Sequence, residues 1–277
     1  MIGVASEETR EVFSKKTRDV DPLTVYRDSL SGVIFIDDFY TGVATYTEGA
    51  YRPDNYSDSL EAKQDCKRRA YGFQRFYSGA DILDFGCGAG DFLKAVKGDC
   101  ASVKGIELQR SYVDDLNAKG IQCFCSLSSI KGDSLDTIFS FHVLEHLPDP
   151  LDCLMEMKTK LRSGGKLVVE VPHANDFLLG LACNEDFKKF TLWSQHLTLH
   201  TRNSLKLMLE HCGYVDIAIE GVQRYPLSNH LQWLSKGLPG GHKSQISMID
   251  GSQLHEAYSS ALGKIDATDT LIAIAYS

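Results

Sequence analysis

From Asp81 onward the chain alternates short apolar runs with amphipathic stretches. Ile82-Leu83-Asp84-Phe85 is a brief apolar run ending in glycines, which predicts a buried strand. Asp91–Val96 begins a helix, Val103–Leu108 reads as a second strand and Arg110–Lys119 as a second helix. Ile121–Cys125 and Leu135–Phe141 supply a third and a fourth strand, and Pro150–Leu161 another helix. Lys166–Val171 is a fifth strand, opened by a turn at Ser163-Gly164-Gly165. Asn203–Cys212 is a helix closed by Gly213, a C-terminal stop signal. Tyr214–Glu220 and Thr270–Tyr276 complete a set of seven strands. Strands alternating with helices imply an α/β fold. The expected form is a Rossmann-like, mostly parallel sheet with helices on both faces and the last strand antiparallel.

The flanks differ. Residues 1–75 are polar, charged and aromatic, with Tyr40, Tyr46, Tyr51, Tyr56 and Tyr71 scattered through them. They are expected to form a lid or extension packed on a core of residues 76–277. Within them, Val33–Ile36 predicts a strand and Ser59–Phe76 a helix capped by Ser59 or Asp58. An insertion at about 222–269 interrupts the final hairpin. It carries Pro226, Pro239, Gly240 and Gly241 and two helix candidates, Asn229–Ser235 and Ser252–Leu262.

Composition narrows the function classes. With 43% hydrophobic residues, 24% charged residues and 7 prolines in 277 residues, the chain is neither disordered nor fibrous. A net charge of −8 gives no support to a nucleic-acid partner. No apolar stretch of about 18 residues exists, so no membrane-spanning helix is expected. The opening MIGVASEETREVF is too polar for a signal peptide, and a cytoplasmic protein is expected. The 8 cysteines (Cys66, Cys87, Cys100, Cys123, Cys125, Cys153, Cys183 and Cys212) contain no C-x-x-C pair. They are expected to be reduced, mostly buried small apolar side chains, without disulfides or zinc.

The sharpest chemical signal is Gly86-Cys87-Gly88-Ala89-Gly90 at a strand-to-helix turn, where open α/β sheets bind ligands. Glycines there permit a sharp turn and close approach of backbone to ligand. A dinucleotide fingerprint would place its third glycine where Asp91 stands, which argues against a nicotinamide or flavin enzyme. Glu107 ends the second strand, where a carboxylate can accept hydrogen bonds from both ribose hydroxyls of a nucleoside.

Over about residues 80–220 and the last strand, these features resemble class I S-adenosylmethionine-dependent methyltransferases. Ser140-Phe141-His142-Val143-Leu144-Glu145-His146-Leu147-Pro148-Asp149-Pro150 is similar to that family's segment after the fourth strand. Residues Leu161–Pro172 are similar to its fifth-strand motif. The resemblance implies S-adenosylmethionine as cofactor. It places Gly86, Cys87, Gly88 and Gly90 against the methionine part and adenosine, with Asp84 shaping the loop. Glu107 and Leu108 would lie at the ribose, Ser126 and Leu127 at the adenine, and Phe141 and His142 at the sulfonium.

His142, Glu145 and His146 invite a metal reading. Neighbours on a helix point different ways, however, so Glu145 and His146 are expected to cap and pack, and no metal is expected. A second cluster, Trp193-Ser194-Gln195-His196-Leu197-Thr198-Leu199-His200-Thr201-Arg202, lies before a helix that Thr201 caps. With Gly213-Tyr214 it resembles a subgroup acting on sugars and surface-polysaccharide units. Tyr46-Thr47-Glu48-Gly49-Ala50-Tyr51-Arg52, followed by Lys63, Lys67, Arg68 and Arg69, resembles the lead-in of the same subgroup. Methylating a hydroxyl requires a base. His196 is the first candidate, His200 the second and His142 the third; with His196 as base, the rate is expected to rise with pH through an apparent pKa near 6.5 unless burial shifts it. The function expected is O-methylation of a small-molecule or glycan acceptor, a carbohydrate or sugar-linked intermediate. The alternatives are C-methylation of a keto-sugar, O-methylation of a non-sugar metabolite, and a non-catalytic cofactor-binding partner.

Overall fold

The computed structural model describes residues 4–49 and 59–277. Tyr51, Arg52, Tyr56 and Asp58 lie outside the described residues. In chain order the N-terminal part contains β1 (Arg10–Ser14), β2 (Val25–Asp28), β3 (Ile34–Ile36), α1 (Ala44–Thr47), α2 (Leu60–Gly72) and α3 (Gln74–Tyr77). Then come β4 (Asp81–Phe85), α4 (Asp91–Val96), β5 (Ser102–Ile106), α5 (Arg110–Ala118), β6 (Gln122–Phe124), β7 (Leu135–Phe141), α6 (Pro150–Lys160) and β8 (Leu161–Pro172). The chain continues through α7 (Glu185–Thr191), β9 (Thr198–Leu199), α8 (Arg202–His211), β10 (Val215–Val222), α9 (Leu227–Lys236), α10 (Ser252–Lys264) and β11 (Thr270–Tyr276).

The main sheet has seven strands in the order β10-β11-β8-β7-β4-β5-β6. The pairs β4·β5, β4·β7, β5·β6 and β7·β8 are parallel, and β11 runs antiparallel to both of its neighbours. This is the Rossmann-like sheet expected from the alternation. Both faces are covered, as adjacent side chains show: Ile82 and Leu83 are each 0% exposed yet point to opposite faces. Leu83 joins Ile138, Leu154 and Leu205 in one core, while Ile82 joins Phe92, Leu93 and Phe139 in the other. Strand order reverses at β4, which opens a crevice at the carboxyl ends of β4 and β7.

Several boundaries follow the predicted signals. Ser59 caps α2 by accepting from the Ala62 N–H, and Thr201 caps α8 in a reciprocal capping box with Ser204. The turn at Ser163-Gly164-Gly165 does not open β8 but is absorbed into it. Leu161 already faces Leu135, and the register shifts before Lys166 meets Thr137.

A second, four-stranded sheet, β1-β2-β3-β9, was not anticipated beyond β3. It is antiparallel throughout, and Ile34 and Phe35 pair with Leu199 and Thr198. The short strands β1, β2 and β9 carry too little periodic pattern to stand out from coil. β1 and β2 pair locally with each other and with β3, whereas β9 is held by β3, distant in sequence. The residues before β4 therefore grip the loop after α7, and Arg18 N–H donates to the Leu192 carbonyl at 2.7 Å. No helix among the described residues is long and apolar enough to cross a membrane.

Candidate cofactor and acceptor site

The turn from β4 into α4 is built by glycines with different duties. Gly86 (φ 76°) and Gly90 (φ 74°) are left-handed, and a side chain at either would run into Val143 or Leu116 respectively. Gly90 packs closely on Leu116 and, unlike Gly86 and Gly88, does not line the adjacent cavity. Gly88 (φ 54°) is the glycine with open space where a side chain would stand, and it faces a cavity. Glu107, 6% exposed, holds this loop: its carboxylate accepts from the N–H groups of Gly88 (2.8 Å), Leu108 (2.7 Å) and Gln109 (2.9 Å). A carboxylate offers about four lone-pair sites, so capacity remains for a ribose hydroxyl.

Two cavities meet around this turn. One, of about 410 Å³, is bounded by Glu107, Leu108, Ser126, Leu127, Tyr46 and His146. The other, of about 450 Å³, is bounded by Asp84, Cys87, Gly88, Phe141, His142 and His196. Gly86, His142 and His146 border both. The nucleoside-side and methionine-side residues expected from sequence thus fall on two lobes of one crevice, with Gly90 the exception.

Asp84 fits a cationic ligand. Burial pushes its carboxyl up to about 7, and the nearby Glu107 charge adds to this against the opposing pull of Arg69. It accepts no hydrogen bond from the described residues. A positive group in the cavity would supply the missing counter-charge. S-adenosylmethionine carries a sulfonium, an ammonium and a ribose diol, which match Asp84, the open backbone at Gly88 and Glu107. When bound, it supplies an electrophilic methyl group on a good leaving group.

Beside this lies a buried polar network that periodicity did not reveal. Glu170, 0% exposed, accepts from Arg69 Nη2 at 2.8 Å and Arg68 Nη2 at 2.7 Å. Burial alone would raise its carboxyl, but the Arg69 charge and the hydrogen bond from His142 hold it well below the usual range. Arg224, just after β10, pairs with Asp65 and lies 3.0 Å from His142 Nε2. The His142 ring sits between carboxylates, with Nδ1 3.2 Å from Glu145 and Nε2 3.1 Å from Glu170, on a left-handed backbone (φ 56°). The basic run on α2 was visible in the sequence, but its pairing with Glu170 on β8 was not.

The candidate bases separate. His196 lines the cavity, whereas His200 is turned away: it is buried, 3.1 Å from Ser204 Oγ, and borders a different recess beside Val33 and Met208. His200 is therefore not placed to act as a base. Burial, reinforced by the His146 charge, pushes His196 down to about 3, far below an ordinary histidine. An unassisted His196 is unprotonated at neutral pH but a weak proton acceptor. The adjacency argument against convergence of Glu145 and His146 also fails. Leu144–His146 is a tight 3-10 turn, not an α-helix, and the ligating atoms of Glu145, His146 and His196 all lie within 4.8 Å of one another. All 8 cysteines are free thiols, with Cys87 and Cys123 sulfurs 3.9 Å apart.

A second cavity of about 450 Å³ continues beyond His142, Thr191, His196, Arg224 and Tyr225. Phe187, Phe190 and Trp233 supply aromatic faces, and Glu61, Asn229, His230 and His242 supply polar groups. Much of this wall comes from α9 and the following turn, so the segment between β10 and β11 shapes it.

The molecule superposes on an S-adenosylmethionine-dependent methyltransferase from Archaeoglobus fulgidus with a TM-score of 0.56, covering 81% of this chain and 97% of that one at 20% identity. Among curated proteins, the tRNA U34 carboxymethyltransferase of Alcanivorax borkumensis is 30% identical over 150 residues, 50% of this chain and 46% of the relative. That of Proteus mirabilis is 29% identical over 156 residues, 50% of this chain and 45% of the relative. The chain spans about half the length of the curated relatives it matches. A family model described as a methyltransferase domain matches residues 61–219, from α2 into β10. By its glycine turn and this match, the chain belongs to the methyltransferase-domain family, with the Rossmann-like fold of an S-adenosylmethionine-dependent methyltransferase.

Proposed function

We propose that the protein transfers the methyl group of S-adenosylmethionine to a hydroxyl of a small polyhydroxylated acceptor, a sugar or sugar-linked intermediate. The observation carrying this reading is the second cavity, continuous with the cofactor crevice and walled by Phe187, Phe190 and Trp233 together with short polar side chains. Aromatic faces pack on the apolar faces of a sugar ring, while Glu61, Asn229 and His242 offer partners for its hydroxyls. His142 and His196 border both cavities, where acceptor oxygen and methyl carbon would meet. Holding these two in line supplies much of the rate through proximity.

The curated relatives favour a second reading, in which the acceptor is a nucleotide of tRNA. The net charge of −8 weighs against a polyanionic substrate, which basic surface normally holds. The deciding experiment incubates the protein with radiolabelled S-adenosylmethionine and, separately, nucleotide-linked sugars, free glycosides and unmodified tRNA. Label on a sugar oxygen, located by NMR, supports the proposal. Label on carbon, on tRNA alone, or on no acceptor replaces it with C-methylation, RNA modification or a non-catalytic role respectively.

A further inference from the structure

We propose that Glu145, His146 and His196 bind one divalent transition-metal ion, which holds the acceptor hydroxyl beside the cofactor. The metal-binding part stands on the geometry of these residues; the hydroxyl-holding part rests on the methyl-transfer reading above.

One carboxylate and two imidazoles are a common donor set for zinc, cobalt or manganese. Ligand atoms sharing an ion at about 2.0–2.2 Å sit roughly 3–4 Å apart. The three donors here lie within 4.8 Å of one another, so rotamer adjustments of about an ångström would close the site. Glu145 is 1% exposed, and its two oxygens differ. Oε1 lies 3.2 Å from His142 Nδ1, whereas Oε2 is buried with no hydrogen-bond partner. His196 Nδ1 is also buried without a partner. Leaving polar atoms so is costly, and a cation between them removes the cost.

The surroundings match what metal-binding histidines require. His146 Nδ1 lies 2.9 Å from the Gln195 carbonyl, to which it donates, so in the neutral ring Nε2 is the nitrogen that would ligate an ion. A backbone carbonyl behind the ring is a common device for orienting a metal ligand. The Leu197 N–H donates to the Glu145 carbonyl at 2.7 Å, so the turn and the loop that supply the ligands are already joined. Three protein ligands on a cavity wall leave positions open for a substrate oxygen, as in catalytic rather than structural sites.

A hydroxyl bound there is acidified by the cation. Its proton passes to water and its oxygen attacks the methyl carbon. The carbon–sulfur bond breaks with its electron pair going to sulfur, and the carbon–oxygen bond forms.

The test titrates Co²⁺ into chelator-treated full-length protein, followed by visible absorption and calorimetry. One ion per chain is expected, with Kd below about 10 µM. Glu145→Gln and His196→Asn should each weaken it at least about tenfold, while His200→Gln, outside the cluster, should leave it unchanged. S-adenosylhomocysteine affinity, measured on the same samples, reports whether each variant is folded. Absence of saturable Co²⁺ binding in the wild type, or equal affinity in folded Glu145 and His196 variants, overturns the proposal. Co²⁺ binding without methyl transfer to any hydroxyl keeps the metal site and overturns its acceptor role. Sugar methylation unaffected by chelator, with no Co²⁺ binding, retains the methyl-transfer reading and overturns the metal.

Discussion

The carboxylate of Asp19 accepts from both the N–H (2.9 Å) and the Oγ (2.6 Å) of Ser194, tying the N-terminal segment to the loop that carries His196. These residues are 175 positions apart in sequence. Ser194 precedes His196 by two residues, so the position of the ring over the crevice depends on a contact outside the main sheet.

Asp19→Ala should therefore loosen that loop while sparing the cofactor residues. The expected outcome is a roughly tenfold drop in methyl-transfer kcat, since small displacements near reacting atoms are costly. Cofactor affinity should stay within about twofold, as measured by titration calorimetry on the same preparation. A parallel loss of both would assign Asp19 a global structural role.

Glu107→Gln tests the ribose assignment with little change in shape. One charged acceptor becomes weaker and its loop contacts are partly lost, so S-adenosylhomocysteine affinity should fall about tenfold, or ~1.4 kcal/mol. Gly88→Val should be worse, because the new side chain would enter the cavity from a left-handed backbone. Unchanged calorimetric affinity in both variants would remove these residues from the site.

Cofactor binding should be linked to protons through Asp84. Burial raises this carboxyl to about 7, and a cationic ligand favours its ionised form. Binding near neutral pH should release protons, and affinity should weaken as pH falls below about 7, by at most about tenfold per unit. Calorimetry in two buffers of different ionisation enthalpy reads the released proton directly. Asp84→Asn should abolish both the release and the slope. A wild-type affinity flat between pH 5.5 and 8 would contradict the assignment.

His200 affects stability rather than chemistry. Burial lowers its pKa to about 4, opposed by the Glu145 charge, so the unfolded chain takes up a proton that the folded one refuses. Its contribution is fully present above the unfolded value near 6.5. It is lost as pH falls toward about 4, at about 1.4 kcal/mol per unit. Denaturant titrations across that window should show a slope shallower by about one proton in His200→Gln, whatever the absolute stability of the variant. Identical slopes would show that His200 titrates normally in the folded state.

The main sheet was legible in the sequence because its strands are buried on both faces and separated by helices. Ile82-Leu83 and Leu135–Phe141 announce themselves as apolar runs, and Gly88 and Glu107 stand at the ends of such runs. Local pattern determines these features, since each depends on a few consecutive residues and the repeat of the βα unit. The small sheet was not legible. Its strands are short, and β9 becomes a strand only by pairing with β3. The environments of the polar residues were likewise decided in three dimensions. Sequence presented His196 and His200 as near-equivalents four residues apart. Packing faced one into the crevice and the other against Ser204, and burial moved both away from an ordinary histidine. Glu145 and His146 converge on His196 because a tight turn replaced the expected helix and a distant loop was fastened against it. Electrostatics and convergence are properties of neighbours in space, and Glu145 and His146 meet His196 across a gap such as the 49 positions that separate His146 from Gln195.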